Sequence, residues 1–171
     1  IGDNGYFLGE RGYAGKWTMH DRSTRVPLIV VDPRGNGLQP GSTLDAFALN
    51  VDIAPTLLDL AGVAPPASMQ GASWRGVLAG EPGRDAFLYE YFASTGEVPT
   101  IAAVRTVRHK LVTYPEDPGR SDQLYDLLRD PGETENLAAD PAHAGRLAEL
   151  RERLASLRVE TGFRLPGRAG P

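Results

Sequence analysis

Two adjacent residues near the start of the chain carry hard oxygen donors. Asp3 has a carboxylate and Asn4 an amide oxygen, the ligand chemistry that Ca²⁺ and, less well, Mg²⁺ select. Two donors leave most of a six-coordinate shell to other groups. Asp3-Asn4-Gly5 is also a turn tripeptide, because Asn and Gly tolerate a left-handed backbone, so the turn reading stands beside the metal reading. Lys16 lies thirteen positions after Asp3, between Gly15 and Trp17, where its ammonium can meet a tetrahedral oxyanion such as sulfate or phosphate. Only two of the 18 basic residues are lysines, so a composition that otherwise prefers Arg has Lys here. A solvated loop lysine is the plain alternative.

Other polar clusters read as structure. His20-Asp21 has the chemistry of a general acid or base, yet a lone loop His is more simply pinned by polar neighbours. No Ser, His and Asp arrangement surrounds Ser23-Thr24-Arg25, and Arg25 reads as an ion-pair or capping residue. His109-Lys110 is expected at a strand edge, Asp130-Pro131-Gly132-Glu133 in a turn, and His143 on the solvated first turn of a helix.

The elements that must position these residues are short. Residues 5–25 mix Gly, aromatics and charges without a period and predict a long irregular loop with at most short helical turns. Residues 26–31 form a continuous apolar run closed by Asp32-Pro33-Arg34-Gly35, the pattern of a strand buried on both faces. Residues 50–62 predict a helix capped by Asp52, with Pro55 in its first turn, Gly62 as its stop, and Leu57, Leu58 and Ala61 on one face. Residues 63–86 are rich in Ala, Pro, Gly and Ser, which places a boundary near residue 85. Strands are expected at 87–92, at 101–114 with a break near 106–109, and at 123–128, forming a small antiparallel sheet. Asp140-Pro141 opens a last helix whose Leu147, Leu150, Leu154 and Leu157 make one apolar stripe for that sheet, with Glu149 placed to pair with Arg153.

Composition bounds the rest. The 171 residues hold 41% apolar and 23% charged residues and carry a net charge of −4, the balance of a folded globular body. Acidic and basic residues are spread evenly, 9 against 7 over residues 1–85 and 13 against 11 over residues 86–171, so no basic face calls for nucleic acid. The chain has no cysteine, which excludes disulfides and a Cys nucleophile within it and leaves the compartment open. No apolar run approaches the roughly 20 residues of a membrane span. The chain begins at Ile1 with no charged and apolar leader after it, and it reads as an excerpt of a longer protein.

Taken in order, these segments resemble the C-terminal part of the sulfatase family within the alkaline phosphatase superfamily. The resemblance rests on Asp3-Asn4-Gly5, Leu8-Gly9-Glu10, Gly15-Lys16-Trp17-Thr18 and Ser23-Thr24-Arg25-Val26-Pro27-Leu28. It continues through residues 52–62, Gln70-Gly71-Ala72-Ser73, Leu124-Tyr125-Asp126-Leu127 and residues 130–137. It implies an α/β fold in two parts: residues 1–85 as the C-terminal part of an alkaline-phosphatase-like mixed-sheet catalytic domain, and residues 86–171 as a small antiparallel-sheet domain with a packed C-terminal helix. It implies a hydrolase of sulfate esters or sulfamates that uses Ca²⁺ and a formylglycine. Asp3 and Asn4 match the family's later pair of calcium ligands, and Lys16 matches the lysine that contacts the sulfate oxygens and steadies the leaving group. The implied partners are a small-molecule or glycan sulfate ester and the missing N-terminal part of the same domain. The family's Cys-or-Ser, x, Pro, x, Arg signature is not found in these 171 residues, so the formylglycine is expected upstream of Ile1. A phosphatase or phosphonate hydrolase of the same superfamily, or a non-catalytic binding remnant, would share the features present.

Overall fold

The computed structural model describes residues 1–34, 40–92 and 98–162. Its elements run in the order β1 (Phe7–Leu8), β2 (Ala14–Gly15), α1 (Asp21–Thr24), α2 (Ile53–Leu60), α3 (Arg75–Leu78), β3 (Ala86–Tyr91), β4 (Ile101–Thr106), β5 (His109–Thr113), β6 (Gln123–Asp126) and α4 (Ala144–Glu160). They group into two units: Leu28–Asp85 with Ile1, and Gly2–Pro27 with Ala86–Pro171. Residues 2–27, expected with the segment up to 85, group instead with the later residues. Gly35, expected to end a turn, lies outside the described residues.

In the second unit, β3 to β6 form a four-stranded antiparallel sheet in chain order. The break expected near 106–109 is the β4–β5 hairpin, where the Thr106 hydroxyl donates to the His109 carbonyl at 3.1 Å and accepts from its N–H at 2.9 Å. Strand alternation sends successive side chains to opposite faces. One face gathers Ala86, Val104, Leu111 and Leu124 against Leu150, Leu154 and Leu157 of α4, with Leu147 at the margin. The leucine stripe of the last helix therefore does what its period predicts. Asp140 caps the entry to that helix, accepting from the Ala142 N–H at 2.9 Å, and Pro141 needs no partner for a missing N–H. Glu149 pairs with Arg146 rather than with the expected Arg153, which reaches Glu160. On a solvated helix face such alternatives differ by only a few tenths of a kcal/mol.

Residues 2–27 cover the opposite face. Ile101, Ala103, Val112 and Tyr114 bury Met19 completely, with Phe87, Tyr89 and Tyr91 around them. Beside Met19, Lys110 projects from β5 and is fully buried, a correction to its expected place at a strand edge. Its ammonium donates to the Met19 carbonyl at 2.7 Å, Asp21 Oδ1 at 2.6 Å and Glu133 Oε1 at 2.6 Å. Glu133, also buried, accepts the Asp21 N–H on its other oxygen at 2.7 Å. The turn at 130–133 forms as expected, but it swings Glu133 inward with φ at 56°. Burial alone would raise the Asp21 carboxyl; the Lys110 ammonium, with Arg105 and Arg25, reverses this and holds it below its usual range.

His20 is likewise core, not catalytic equipment. It is 3% exposed and packs against Phe7, Tyr13 and Tyr125 with ring centroids 5.5–5.8 Å away, and its Nδ1 lies 3.0 Å from the Thr18 hydroxyl. Burial, reinforced by Arg11 and Lys110, pushes its pKa down to about 4.

The first unit is organised around Asp52, 1% exposed. Its carboxylate accepts from the backbone N–H of Leu49 and Ala72 at 2.9 Å each, from Trp74 Nε1 at 3.3 Å and from Arg84 at 2.5 Å. Asp52 thus ties together separate chain segments instead of capping α2 as expected, since its side chain accepts no hydrogen bond from the first turn of that helix. Gly71 runs directly against the Val51 carbonyl, where a Cβ would collide. Gly62, at φ 74°, ends the helix as predicted. Leu57, Leu60 and Ala61 line an apolar groove together with Ile1, Leu28 to Val31 and Ile53; Leu58 does not.

Residues 26–31 do not form the expected buried strand. None of the described ladders includes them, and Ile29 and Val31 are 81% and 82% exposed. A β-branched run favours a strand only when neighbouring backbone completes its hydrogen bonds, and no described segment pairs with this one. Among the described residues no helix is long and apolar enough to cross a membrane.

In the full-length protein, Lys110→Met strands the buried Glu133 carboxylate and the half-buried Asp21 carboxylate and should lower stability by about 3–5 kcal/mol, seen as a lower thermal midpoint, while Lys110→Met with Glu133→Gln recovers part of the loss. His20 stays neutral in the folded state down to about pH 4, whereas the unfolded chain takes up a proton below about 6.5. Stability should therefore fall as pH drops through that window, by about 1.4 kcal/mol per pH unit, and denaturant midpoints of His20→Phe should lack this slope.

Candidate active site

Asp3, Asn4 and Lys16 all belong to the segment that covers the sheet. Gly5 donates to the Ser23 carbonyl at 2.8 Å, and a Cβ on it would run into the Arg22 carbonyl. The glycine after Asp3-Asn4 is thus required by close approach and not by the positive φ that the turn reading supposed. Phe7, 1% exposed, anchors the next residues, and β1 pairs antiparallel with β2 through Phe7–Gly15 and Leu8–Ala14. Between them Gly9 and Gly12 take left-handed backbone at φ 118° and 75°. The Glu10 carboxylate accepts the Leu8 N–H at 2.7 Å, and that backbone bond is the main reason its pKa sits below the usual range.

This small hairpin brings Lys16 back to the opening turn. Lys16 Nζ donates to Asn4 Oδ1 at 3.1 Å, joining two of the three residues singled out from the sequence. The ammonium also lies 4.6 Å from the centre of the Trp17 ring. Asp3 is exposed, and Asn4 and Lys16 are half-buried. The grouping offers a carboxylate and an amide oxygen beside a cation, a set able to hold a hard metal ion and an oxyanion at neighbouring points. In donor type, Asp3 and Asn4 fit Ca²⁺ or Mg²⁺; in number they fall short, and among the described residues no group of three or more His, Cys, Asp or Glu gathers to hold a metal. His20 lies in the aromatic core, and His109, Lys110, Glu133 and His143 take no part in this group.

The surroundings of Lys16 leave little trace in the sequence. Gly15 and Trp17 both have left-handed backbone, φ 83° and 84°, so the chain reverses on either side of the lysine. The Tyr89 hydroxyl donates to the Trp17 carbonyl at 2.9 Å, and the Tyr91 ring lies 5.6 Å from the Trp17 ring at an angle of 34°. These partners are more than seventy residues away in sequence, and the only local signal was an aromatic next to the lysine.

Residues 9–160 match the family described as N-sulphoglucosamine sulphohydrolase, C-terminal. The chain is 36% identical over 159 residues to an N-acetylglucosamine-6-O-sulfatase of Bacteroides thetaiotaomicron, covering 89% of this chain and 28% of that protein. Its fold superimposes on a solved structure of a protein in complex with its substrate D-glucosamine-2-N,6-O-disulfate, with a TM-score of 0.88, 34% identity, 98% of this chain and 35% of the other covered. A phosphonate monoester hydrolase of Agrobacterium radiobacter is also similar, with a TM-score of 0.79 at 30% identity over 93% of this chain and 34% of that one. The chain therefore spans about a third of the length of these relatives, and its α/β fold, with an antiparallel sheet and a C-terminal helix, is theirs. By sequence and by fold, it belongs to the sulfatase family of the alkaline phosphatase superfamily, as part of the C-terminal portion.

Proposed function

We propose that the whole protein of which this chain forms a part is a calcium-dependent sulfatase that hydrolyses a sulfate ester or sulfamate of a small molecule or glycan. Sulfated glucosamine is the first class to try, since it is named for the two relatives above. The observation that carries this reading is the Lys16 Nζ–Asn4 Oδ1 contact at 3.1 Å, in which an ammonium and a hard oxygen donor meet beside Asp3. Residues 1–85 would belong to the catalytic domain and residues 86–171 to the small C-terminal domain. The apolar groove along Leu28 to Val31 and α2 would be covered by the remainder of the catalytic domain, which would also pair with residues 28–31.

Each residue has a distinct task in this reading. Lys16 binds the non-bridging sulfate oxygens and stabilises the negative charge that builds as the bond to the leaving oxygen breaks. Asp3 and Asn4 supply two of the oxygen ligands of Ca²⁺, with the others coming from outside this chain; Mg²⁺ is the less suited ion, since it demands stricter geometry. A formylglycine, also outside this chain, supplies the nucleophile. These 171 residues contain no Cys and no Ser-x-Pro-x-Arg, so the chain on its own should release no sulfate.

The phosphonate monoester hydrolase likeness favours one alternative, because the same cation and ammonium suit a phosphoryl group. Full-length protein assayed on matched aryl sulfate, aryl phosphate and phosphonate monoesters should act best on the sulfate; dominant phosphate or phosphonate hydrolysis would overturn the sulfatase reading. Lys16→Ala should lower kcat/KM on the preferred ester by about 10²–10³-fold with the fold intact by circular dichroism. Calcium titration of the full-length protein should give tight binding that Asp3→Ala weakens by at least tenfold, and unchanged affinity would remove Asp3 from the ligand set.

A further inference from the structure

We propose that Trp17 is a positioning residue for Lys16, its ring holding the ammonium toward the oxyanion and Asn4. This rests on the reading of Lys16 given above. Trp17 has φ 84°, a conformation that a bulky L-residue rarely adopts and a glycine adopts freely. Gly9, Gly12 and Gly15 fill the other left-handed positions of this hairpin, save Arg11, whose guanidinium donates to Tyr125 Oη at 3.3 Å. Trp17 is 49% exposed, so packing into the core does not account for it. Its ring lies 4.6 Å from Lys16 Nζ, within the range of an attractive cation–π contact.

The strained residue is held from β3. The Tyr89 hydroxyl donates to the Trp17 carbonyl, and the Tyr91 ring packs beside the indole. Burial, and then Tyr91, push Tyr89 up to about 12, so it remains a donor across ordinary working pH. The positional chain thus runs from a rigid strand through Trp17 to an otherwise long and flexible lysine, and from there to Asn4. The ammonium loses less freedom on meeting the substrate when its place is already set.

The test is a double-mutant cycle in the full-length protein, read on whichever ester it hydrolyses best. Trp17→Gly removes the ring, keeps the carbonyl that Tyr89 binds and relieves the backbone strain. The expected result is a thermal midpoint unchanged or raised, with kcat/KM lowered about tenfold. Trp17→Phe should restore most of the loss, and Lys16→Ala with Trp17→Gly should be no slower than Lys16→Ala alone. The Trp17→Gly loss should also grow for esters with more basic leaving groups, where Lys16 matters most. A Trp17→Gly enzyme as fast as wild type, or a loss that follows a falling midpoint, overturns the proposal. So does a loss that multiplies with that of Lys16→Ala, because Trp17 would then touch substrate directly. Preference for phosphonate over sulfate overturns the sulfatase reading alone, since the cycle still reports on Lys16. If the protein hydrolyses none of these esters, the cycle is read from inorganic sulfate affinity, and absence of sulfate binding overturns both readings.

Discussion

The buried Lys110 ammonium is the constraint on which the second unit depends. A charge removed from water needs compensation from every side, and Lys110 finds it in a carbonyl and two carboxylates drawn from two distant parts of the chain. Because Met19 and Asp21 belong to the segment that carries Asp3, Asn4 and Lys16, satisfying this charge also fixes that segment against the sheet. Hydrophobic contacts alone would press Met19 and Phe7 onto the same face, yet they tolerate sliding. A three-point hydrogen-bonded cation does not, and the rest of the segment inherits its register from it.

From that anchor the site is assembled by short-range devices. Gly5 lets the backbone lie against Arg22, the hairpin folds Lys16 back toward Asn4, and left-handed residues on either side of the lysine redirect the chain. Irregular structure of this kind has few internal backbone bonds to stabilise it, so its geometry comes from the sheet beneath. The antiparallel sheet and α4, which carry none of the proposed metal or sulfate contacts, thereby serve as the support for a neighbouring site. The same logic holds for Asp52, whose carboxylate joins Leu49, Ala72, Trp74 and Arg84 in the first unit.

What could be read from the sequence was local or ordered. The strands of the small sheet, their break at Thr106 to His109 and the leucine stripe of α4 follow from periodicity and capping, which act within a few residues. Membership of the family was legible from an ordered series of short motifs, where spacing alone left Asp3-Asn4-Gly5 open between a turn and a metal pair. Lys110 was illegible, because its partners lie 89, 91 and 23 positions away and nothing local marks a strand lysine as buried. Residues 26–31 misled for the opposite reason: their composition suits a strand, but a strand also needs a neighbour, and none of the described segments supplies it.

Whether Asp3, Asn4 and Lys16 form one metal and sulfate site is decided by a crystal structure of the full-length protein with calcium and inorganic sulfate. A single site requires a calcium ion with oxygens of Asp3 and Asn4 at about 2.3–2.6 Å and a sulfate oxygen within about 3.2 Å of Lys16 Nζ. A calcium ion bound elsewhere, with Asp3 and Asn4 in solvent and Lys16 away from the sulfate, would contradict it.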